Sequence, residues 1–200
     1  MSLPALIILV GLAYIVLFGG LSLLRREGLS SRFAIEALVI TFMVGGLTAL
    51  TGIQIHPIMF LIVLYLITMR VRLLVDIANF FAQRSQFERA NLFYNLAQRL
   101  WPDQTGHLVI QVNQGTALLQ NDALDEAIAV FTDVLKNANQ GYLGVKYEAA
   151  THYNLGIAYR RKDMEPQARL EFTAVLDTWP ASQYAQRAEI ALSKDRKKSN

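Results

Sequence analysis

The 200-residue sequence contains no cysteine, which excludes disulfides, thiolate metal sites and a cysteine nucleophile. Its three histidines, His56, His107 and His152, stand far apart, and none has a second histidine at the i, i+4 spacing of a helical zinc motif. The sequence also lacks a glycine-rich phosphate loop, a dinucleotide fingerprint and a nucleophile elbow. These absences predict a protein that is not an enzyme and that uses no metal or cofactor.

Charged residues are also scarce, at 18% of the chain against 53% hydrophobic residues, which is too apolar a balance for a chain that is soluble throughout. Up to Arg72 there are five arginines and two acids, so this part carries the net charge of +3. From Leu73 onward, fourteen basic residues balance fourteen acidic ones. Nucleic-acid binding needs an excess of Lys and Arg to neutralise phosphates, so this balance argues against a nucleic-acid partner.

Three hydrophobic runs predict an N-terminal membrane anchor over residues 1–70, with two or three transmembrane helices. The first run, 4–24, has no charge and as a helix extends roughly 31 Å, enough to cross the hydrocarbon core. The second run, 33–51, is interrupted only by Glu36, and the third, 53–69, barely reaches spanning length. A cleaved signal peptide is disfavoured, because there is no basic start and no small-residue cleavage site.

The second run carries two features that suggest a role. Small residues recur at every fourth position, which predicts a packing seam on another helix of the same chain or on a partner. These residues are Ala37, Thr41, Gly45 and Ala49. Glu36 is either a functional intramembrane carboxylate or an interfacial one paired with Arg32 at i, i+4.

The arginines near the runs predict the orientation of the anchor. Arg25, Arg26 and Arg32 lie between the first two runs, and Arg70 and Arg72 follow the third, whereas the loop before the third run has no Lys or Arg. Because positive residues stay inside, three spans place the N-terminus outside. The remainder of the chain then lies in the cytoplasm or on the stromal side of a photosynthetic membrane. We therefore predict an integral protein of a bacterial inner membrane or a thylakoid.

The region after the anchor repeats one pattern of small and aromatic residues. Small residues let two antiparallel helices approach closely, aromatic residues fill the groove between them, and proline ends the second helix. In the clearest unit these residues are Leu155, Gly156, Tyr159, Ala168, Phe172 and Pro180. Upstream units have Ala78, Phe81, Ala90 and Tyr94, and then Gly115, Leu118, Ala127 and Phe131. The pattern resembles the tetratricopeptide-repeat (TPR) family.

The resemblance implies an all-α chain in which the anchor is followed by a TPR α-solenoid over residues 71–195. We expect repeats at about 71–104, 108–141 and 149–182, a capping helix at 183–195 and a disordered basic tail at 196–200. The length beyond the usual ~34 residues per repeat falls around 103–106 and 139–142, which we expect to be loops. No Gly, Pro or Ser separates Met69 from Ala78. This favours one continuous helix across the junction, with a bend near Arg70 as the alternative.

In the TPR family the first helices of successive repeats line a groove that binds a peptide or a helix, and the resemblance implies the same here. The corresponding residues are Asn79, Gln83, Val112, Thr116, Gln120, Tyr153, Ile157, Arg160, Arg161, Tyr184 and Arg187. The family's clamp for acidic C-terminal peptides uses Lys and Asn at set positions. Here those positions hold Val75, Asn113, Ala150 and Asn154, without any Lys, so such a peptide is a poor candidate.

These features lead to three hypotheses about function. The first is a membrane-anchored scaffold that binds a protein in the groove, contacts a membrane complex through its spans and assists assembly, resembling photosystem-assembly TPR factors. The second is a stable accessory subunit of a photosynthetic or respiratory complex. The third, of another class, is a small transport or intramembrane catalytic component that uses Glu36.

Overall fold

The computed structural model describes residues 2–27, 30–138 and 143–198, and every regular element in them is an α-helix. The all-α prediction is therefore confirmed for these residues. The helices are α1 Leu3–Leu24, α2 Ser31–Thr51, α3 Pro57–Thr68, α4 Arg70–Gln83, α5 Phe87–Arg99, α6 Gln104–Gln120, α7 Leu124–Ala138, α8 Val145–Arg161, α9 Glu165–Thr178 and α10 Gln183–Lys198.

Helices α1 and α2 are long and apolar enough to cross a membrane. They have 22 and 21 residues, and much of their surface consists of exposed aliphatic side chains. A third candidate span exists only if α3 and α4 are counted together. Helix α3 alone has 12 residues, about 18 Å, because residues 53–56 of the predicted third span are not helical.

The junction between anchor and repeats is bent by 69°, so the expected continuous helix is wrong and the alternative, a bend near Arg70, is correct. The Met69 N–H still bonds to the Tyr65 carbonyl, but the ψ of Met69 is 8° and the helix stops there. The Arg70 guanidinium donates to the Ile67 carbonyl at 2.6 Å and to Glu36 at 2.5 Å. Since Glu36 is 34 residues away, no local pattern marks the bend.

The close contact between α1 and α2 depends on small residues. Ala37, Thr41 and Gly45 are buried, and a Cβ added to Gly11 of α1 would lie 2.2 Å from the Thr41 Oγ1. Ala49 is exposed, however, which corrects the predicted seam. Four residues turn an α-helix by about 400°, so a stripe with this spacing drifts about 40° at each step. Thr48 is buried at this level instead.

The remaining helices form antiparallel pairs, α4 with α5, α6 with α7 and α8 with α9, and α10 packs on α8 and α9. We call α4–α10 the repeat array. In each pair the second helix buries one aromatic ring: Tyr94, Phe131 or Phe172. A Cβ on Gly115 or Gly156 would lie 2.7 Å from the ring of Phe131 or Phe172 respectively, so glycine is needed for these rings to fit.

Two local expectations for the array need correction. Residues 104–106 are not a loop but the first turn of α6, because the Asp103 carboxylate accepts a hydrogen bond from the Gly106 N–H at 2.8 Å and caps the helix. The tail predicted to be disordered from residue 196 is helical as far as Lys198, since no Gly or Pro ends α10. The expected loop at 139–142 and residues 199–200 lie outside the described residues.

Candidate functional site

A cavity of about 410 Å³ lies between the array and the anchor. Its array side is formed by the first helix of each pair, and its other side by the ends of α1 and α2 and the loop between them. Lining residues include Glu27, Val75, Asn79, Val109, Asn113 and Tyr184. The groove implied by the repeat pattern therefore opens beside the adjoining ends of α1 and α2.

Side-chain amides connect α4 to α6 across the floor of this cavity. The Asn79 Nδ2 donates to the Asn113 Oδ1 at 3.0 Å, and the Asn113 Nδ2 donates to the Val109 carbonyl at 2.7 Å. The Tyr94 hydroxyl of α5 donates to the Asn79 Oδ1 at 2.6 Å. Burial raises the pKa of Tyr94 far above its ordinary value, so this hydroxyl keeps its proton at physiological pH.

A similar link connects α8 to α6. The Asn154 Nδ2 donates to the Thr116 Oγ1 at 3.0 Å, and Thr116 donates to the Val112 carbonyl at 2.8 Å. Further along α8, the Arg161 guanidinium donates to the Leu119 carbonyl at 2.9 Å. A row of amide and hydroxyl groups thus runs across three first helices, and we call Asn79, Asn113, Thr116 and Asn154 the amide row.

The loop between α1 and α2 is held by charged residues of the array. Glu27 is only 6% exposed, and its carboxylate accepts from the Lys146 Nζ at 2.7 Å and pairs with the Arg72 Nη2 at 3.0 Å. In addition, the Lys146 backbone N–H donates to the Arg26 carbonyl at 3.1 Å. One buried carboxylate therefore joins the loop to the beginnings of α4 and α8.

Three more contacts fix the same loop. The Ser30 hydroxyl donates to Asp103 at 2.6 Å, and the Arg32 guanidinium donates to the Trp101 carbonyl. The Arg26 guanidinium lies 5.4 Å from the ring centre of Trp179. Asp103 caps the start of α6, and Trp179 lies between α9 and α10. With the contacts to Arg72 and Lys146, this region therefore meets the starting ends of α4, α6 and α8 and the turn before α10.

The charge on Glu27 is stabilised by these contacts. Burial alone would raise the pKa of Glu27, but the hydrogen bond from Lys146 and the charge of Arg72 outweigh it and hold the pKa below its ordinary value. Tyr147 lies beside this group, and its pKa is raised to about 12, first by burial and then by the Glu27 charge. Glu27 is thus ionised and Tyr147 neutral across the physiological range.

The docking of this loop should depend on pH. Since docking lowers the pKa of Glu27, the stabilising effect of the Glu27 ion pairs is complete above the ordinary pKa of 4.5 and disappears as pH falls through the lowered pKa.

Spin labels at Arg25→Cys and Gln183→Cys in the otherwise cysteine-free chain can measure the docking of the loop by pulsed EPR. We expect one narrow distance at neutral pH and a broad distribution on acidification well below pH 4.5. A Glu27→Gln chain should lose this pH dependence, and an unchanged distribution in acid contradicts the assignment.

Glu36 is fully engaged in ion pairs. Its carboxylate accepts from the Arg32 Nε at 2.8 Å and from both terminal nitrogens of Arg70, at 2.5 and 2.8 Å. The interfacial interpretation, in which Glu36 pairs with Arg32, agrees with this geometry. The second arginine adds a role that the sequence did not suggest, which is to hold the bend between α3 and α4.

A second cavity, of about 320 Å³, lies among α7, α8 and α9. In it the His152 Nδ1 lies 2.7 Å from the Glu171 Oε2 and ties α8 to α9. Within the described residues there is no group of three or more His, Cys, Asp or Glu side chains that could hold a metal.

The predicted groove residues do not all face the cavity. Val112 is 3% exposed and packs with Leu108 and Val134 inside the α6–α7 pair, so its place in the groove is a wrong prediction. Tyr153 and Arg160 lie against the Phe172 ring of α9, at 5.9 and 5.1 Å. One residue turns a helix by about 100°, so a register error of one position moves a side chain from the groove to the pair interior.

The other predicted groove residues are spread over the first helices. Asn79 and Tyr184 line the cavity, and Thr116 belongs to the amide row. Ile157 is partly buried against α9 and α10. Exposed to solvent are Gln83, Gln120, Arg161 and Arg187.

Several residues of the site were missed as groove residues. Asn113 and Asn154 were noted only as positions of the family's peptide clamp, and the structure places both in the amide row. No sequence pattern indicates that Lys146 belongs to the site. For Glu27 there is one weak indication, which is that it is one of only two acidic residues before Arg72.

No protein-family model matches the sequence, and no curated protein matches it significantly. Among solved structures, the chain is similar to the N-terminal domain of stress-induced protein-1 (STI-1) from C. elegans, with a TM-score of 0.51. That match has 15% sequence identity and covers 62% of this chain and 94% of the other. At this identity the likeness establishes the fold, which is a helical-repeat domain with TPR-like pairing, and nothing about ligands.

Proposed function

We propose that this chain is a membrane-anchored scaffold whose array binds another protein in the groove above the amide row. The observation that carries the proposal is the amide row itself, which continues across three first helices and has two members, Asn79 and Asn113, in the lining of an open cavity. In the contacts described above, each amide NH2 uses one of its two hydrogens, and the Asn79 and Asn113 oxygens each use one of two lone pairs. The remaining capacity can bind the backbone of a peptide whatever its side chains. The proposed ligand is an extended or helical protein segment.

The charges around the groove argue against an acidic C-terminal peptide as that ligand. Four basic residues line the cavity, and all are already in ion pairs. Arg72 and Lys146 pair with the buried Glu27, and Arg32 and Arg70 pair with Glu36. The clamp positions Val75 and Ala150 are buried aliphatic residues. A free carboxylate at this end of the groove would have to compete with Glu27.

Two observations support an anchored array on the cytoplasmic or stromal side. The α1–α2 loop contains Arg25 and Arg26 and contacts the array, so loop and array occupy the same side of the proposed membrane. Loops rich in arginine remain on the cytoplasmic side. Together with two helices of spanning length, this supports an integral protein of a bacterial inner membrane or a thylakoid.

The finer proposal is assistance in the assembly or stabilisation of a membrane protein complex. An anchored groove can hold a soluble subunit or an unassembled segment while α1 and α2 contact a membrane partner. Their exposed aliphatic surface offers room for such a contact. Transport through Glu36 is less well supported, because two arginines already occupy its carboxylate.

Groove binding can be tested by co-purification from mild detergent with Asn113→Ala and Tyr184→Ala variants of the full chain. We expect recovery of one specific partner to fall at least about tenfold, the effect of losing roughly 1.4 kcal/mol at a contact residue. Arg169→Ala, on the exposed side of α9, is the matched control and should leave recovery unchanged. Circular dichroism confirms that each variant is folded. Unaltered recovery of every partner by both groove variants contradicts the proposal.

A further inference from the structure

The first helix pair exposes an apolar surface on the side that faces away from α6. Its members are exposed or half-buried side chains at helical spacing along α4 and α5. We call this surface the outer face; it consists of Leu73, Ile77, Phe80, Leu92, Phe93 and Leu96. The ring of Phe81 lies beneath it, 5.7 Å from Phe80 and stacked at 5.4 Å on Phe93, so the surface is continuous between the two helices.

This surface is the open end of the helix stack. Repeat arrays need a polar outer side on their terminal units to stay in water. The other end meets this need, since α10 exposes mainly polar residues such as Gln186, Arg187 and Glu189. The outer face has no such cap within the described residues, so some other apolar medium must cover it.

The position of α4 relative to the anchor indicates which medium this is. The Tyr14 hydroxyl near the middle of α1 lies 2.7 Å from the Thr68 Oγ1 at the end of α3. Helix α4 therefore starts beside the second half of α1, below the α1–α2 loop. From there the 69° bend turns α4 most of the way into the plane of the proposed membrane.

The rotation of α4 about its axis turns the outer face away from the α1–α2 loop. Arg72 contacts Glu27 in the α1–α2 loop, so this side of α4 faces the loop and points away from the bilayer centre. Leu73, Ile77 and Phe80 lie about 80–140° round the helix from Arg72, so they form a stripe on another side of α4. The polar side of α4 thus faces the loop, and the apolar stripe does not, which leaves it free to meet the lipid.

The charge of this helix pair fits anionic lipid headgroups. Residues 70–101 contain five arginines and two acids, whereas residues 102–200 contain eleven basic and twelve acidic residues. The Arg84 guanidinium lies 4.0 Å from the ring centre of Phe80, and that of Arg89 lies 5.8 Å from Phe81. Arginines at a membrane interface can lay their stems along apolar surface and keep their charges at anionic headgroups, and Arg84 and Arg89 are placed to do this.

We propose that the outer face lies in the interfacial layer of the bilayer, with Arg84 and Arg89 at anionic headgroups. The bilayer then replaces the missing cap of the array. This inference rests on the membrane insertion of α1 and α2 proposed above.

Spin-label accessibility tests this surface directly, because the chain has no cysteine of its own. The full chain carrying Leu92→Cys is labelled and reconstituted in vesicles of phosphatidylcholine and phosphatidylglycerol. Leu170→Cys on α9 is the matched control, since the two leucines are 68% and 71% exposed. We expect the Leu92 label to collide with oxygen several times more than with a water-soluble nickel chelate, and the Leu170 label to show the reverse.

Two results overturn the proposal. If the Leu92 label is as open to nickel as the Leu170 label, the outer face lies in water. If it is shielded from both oxygen and nickel, a second copy or another protein covers it. A label at Val16→Cys on the exposed side of α1 tests the anchor separately. If the Val16 label is accessible to nickel, α1 is not inserted in the membrane. If the Val16 label is accessible to oxygen but the Leu92 label is not, the inference about the outer face is wrong and the membrane anchor still stands.

The arginines provide a second readout. With Arg84→Gln and Arg89→Gln together, we expect the preference of the Leu92 label for oxygen to decrease in vesicles that contain phosphatidylglycerol. In vesicles of phosphatidylcholine alone the same substitutions should change little, because zwitterionic headgroups attract arginine weakly. An equal loss in both lipids contradicts the role assigned to the anionic headgroups.

Discussion

Phe172→Ala is expected to lower the free energy of unfolding of the array by about 3–5 kcal/mol, the usual cost of removing a buried aromatic ring. The ring of Phe172 is fully buried between α8 and α9, and Gly156 leaves just enough room for it. Tyr153 and Arg160 also rest on this ring. Urea unfolding of the full chain in detergent micelles measures the loss, followed by Trp179 fluorescence in a Trp101→Phe background.

Leu170→Ala, two residues earlier on α9, is the matched control. Leu170 is exposed, so its loss should change the free energy of unfolding by less than about 0.5 kcal/mol. If Phe172→Ala costs no more than the control, the small and aromatic residues do not hold the helix pair together. The repeat pattern would then have lost its physical basis.

Glu27→Gln is expected to destabilise docking of the α1–α2 loop by about 2 kcal/mol, between the values for exposed and fully buried ion pairs. Arg72 and Lys146 remain behind without their partner, but both are more than one-third exposed, so water compensates part of the cost. The loop should open about thirty times more often, given that 1.4 kcal/mol is a factor of ten. Trypsin cleavage after Arg26 in folded protein reports this opening.

Glu27→Gln also changes the residue that follows the trypsin cleavage site at Arg26. Lys146→Met is the control, because it removes the same hydrogen bond and leaves residues 25–30 unchanged. If both substitutions act through one contact, the double variant should be cleaved little faster than either single variant. Additive effects, or cleavage rates equal to those of the unaltered chain, contradict the docked loop.

The repeat array could be predicted from the sequence because the residues that determine its packing lie close together in the chain. Gly156 and Phe172 are close in the chain and satisfy each other sterically, and the same spacing recurs at Gly115 and Phe131. Helix pairs that pack through such residues give the sequence a repeat of regular length. Secondary structure, pairing and the all-α fold follow from that period alone.

The contacts between anchor and array could not be predicted in this way. The Glu27–Lys146 contact spans 119 residues, and the Arg70–Glu36 contact spans 34. Each contact depends on how the anchor packs against the array, and the repeat spacing of the sequence gives no information about that packing. The bend at Met69 lies next to the second contact. A sequence with no Gly, Pro or Ser at the junction therefore still bends there.

The sequence pattern predicts which helices line the groove but not which side chains on them face it. Asn79 and Thr116 take part in hydrogen bonds between neighbouring first helices, but Val112 belongs to the interior of the α6–α7 pair. A shift of one residue rotates a side chain by about 100°, and a repeat pattern fixes the phase no better than that. Hydrogen bonds between neighbouring first helices define the groove more sharply.

Photo-crosslinking from the groove tests the central claim, that the array binds a protein beside the membrane, most directly. Benzoylphenylalanine in place of Gln120, which lies exposed at the end of α6, should give one discrete protein adduct in membranes. The Asn113→Ala substitution should abolish that adduct. The same crosslinker at Leu170, which is also exposed, should not form it. Absence of any adduct at Gln120, or the same adduct at both positions, contradicts the account.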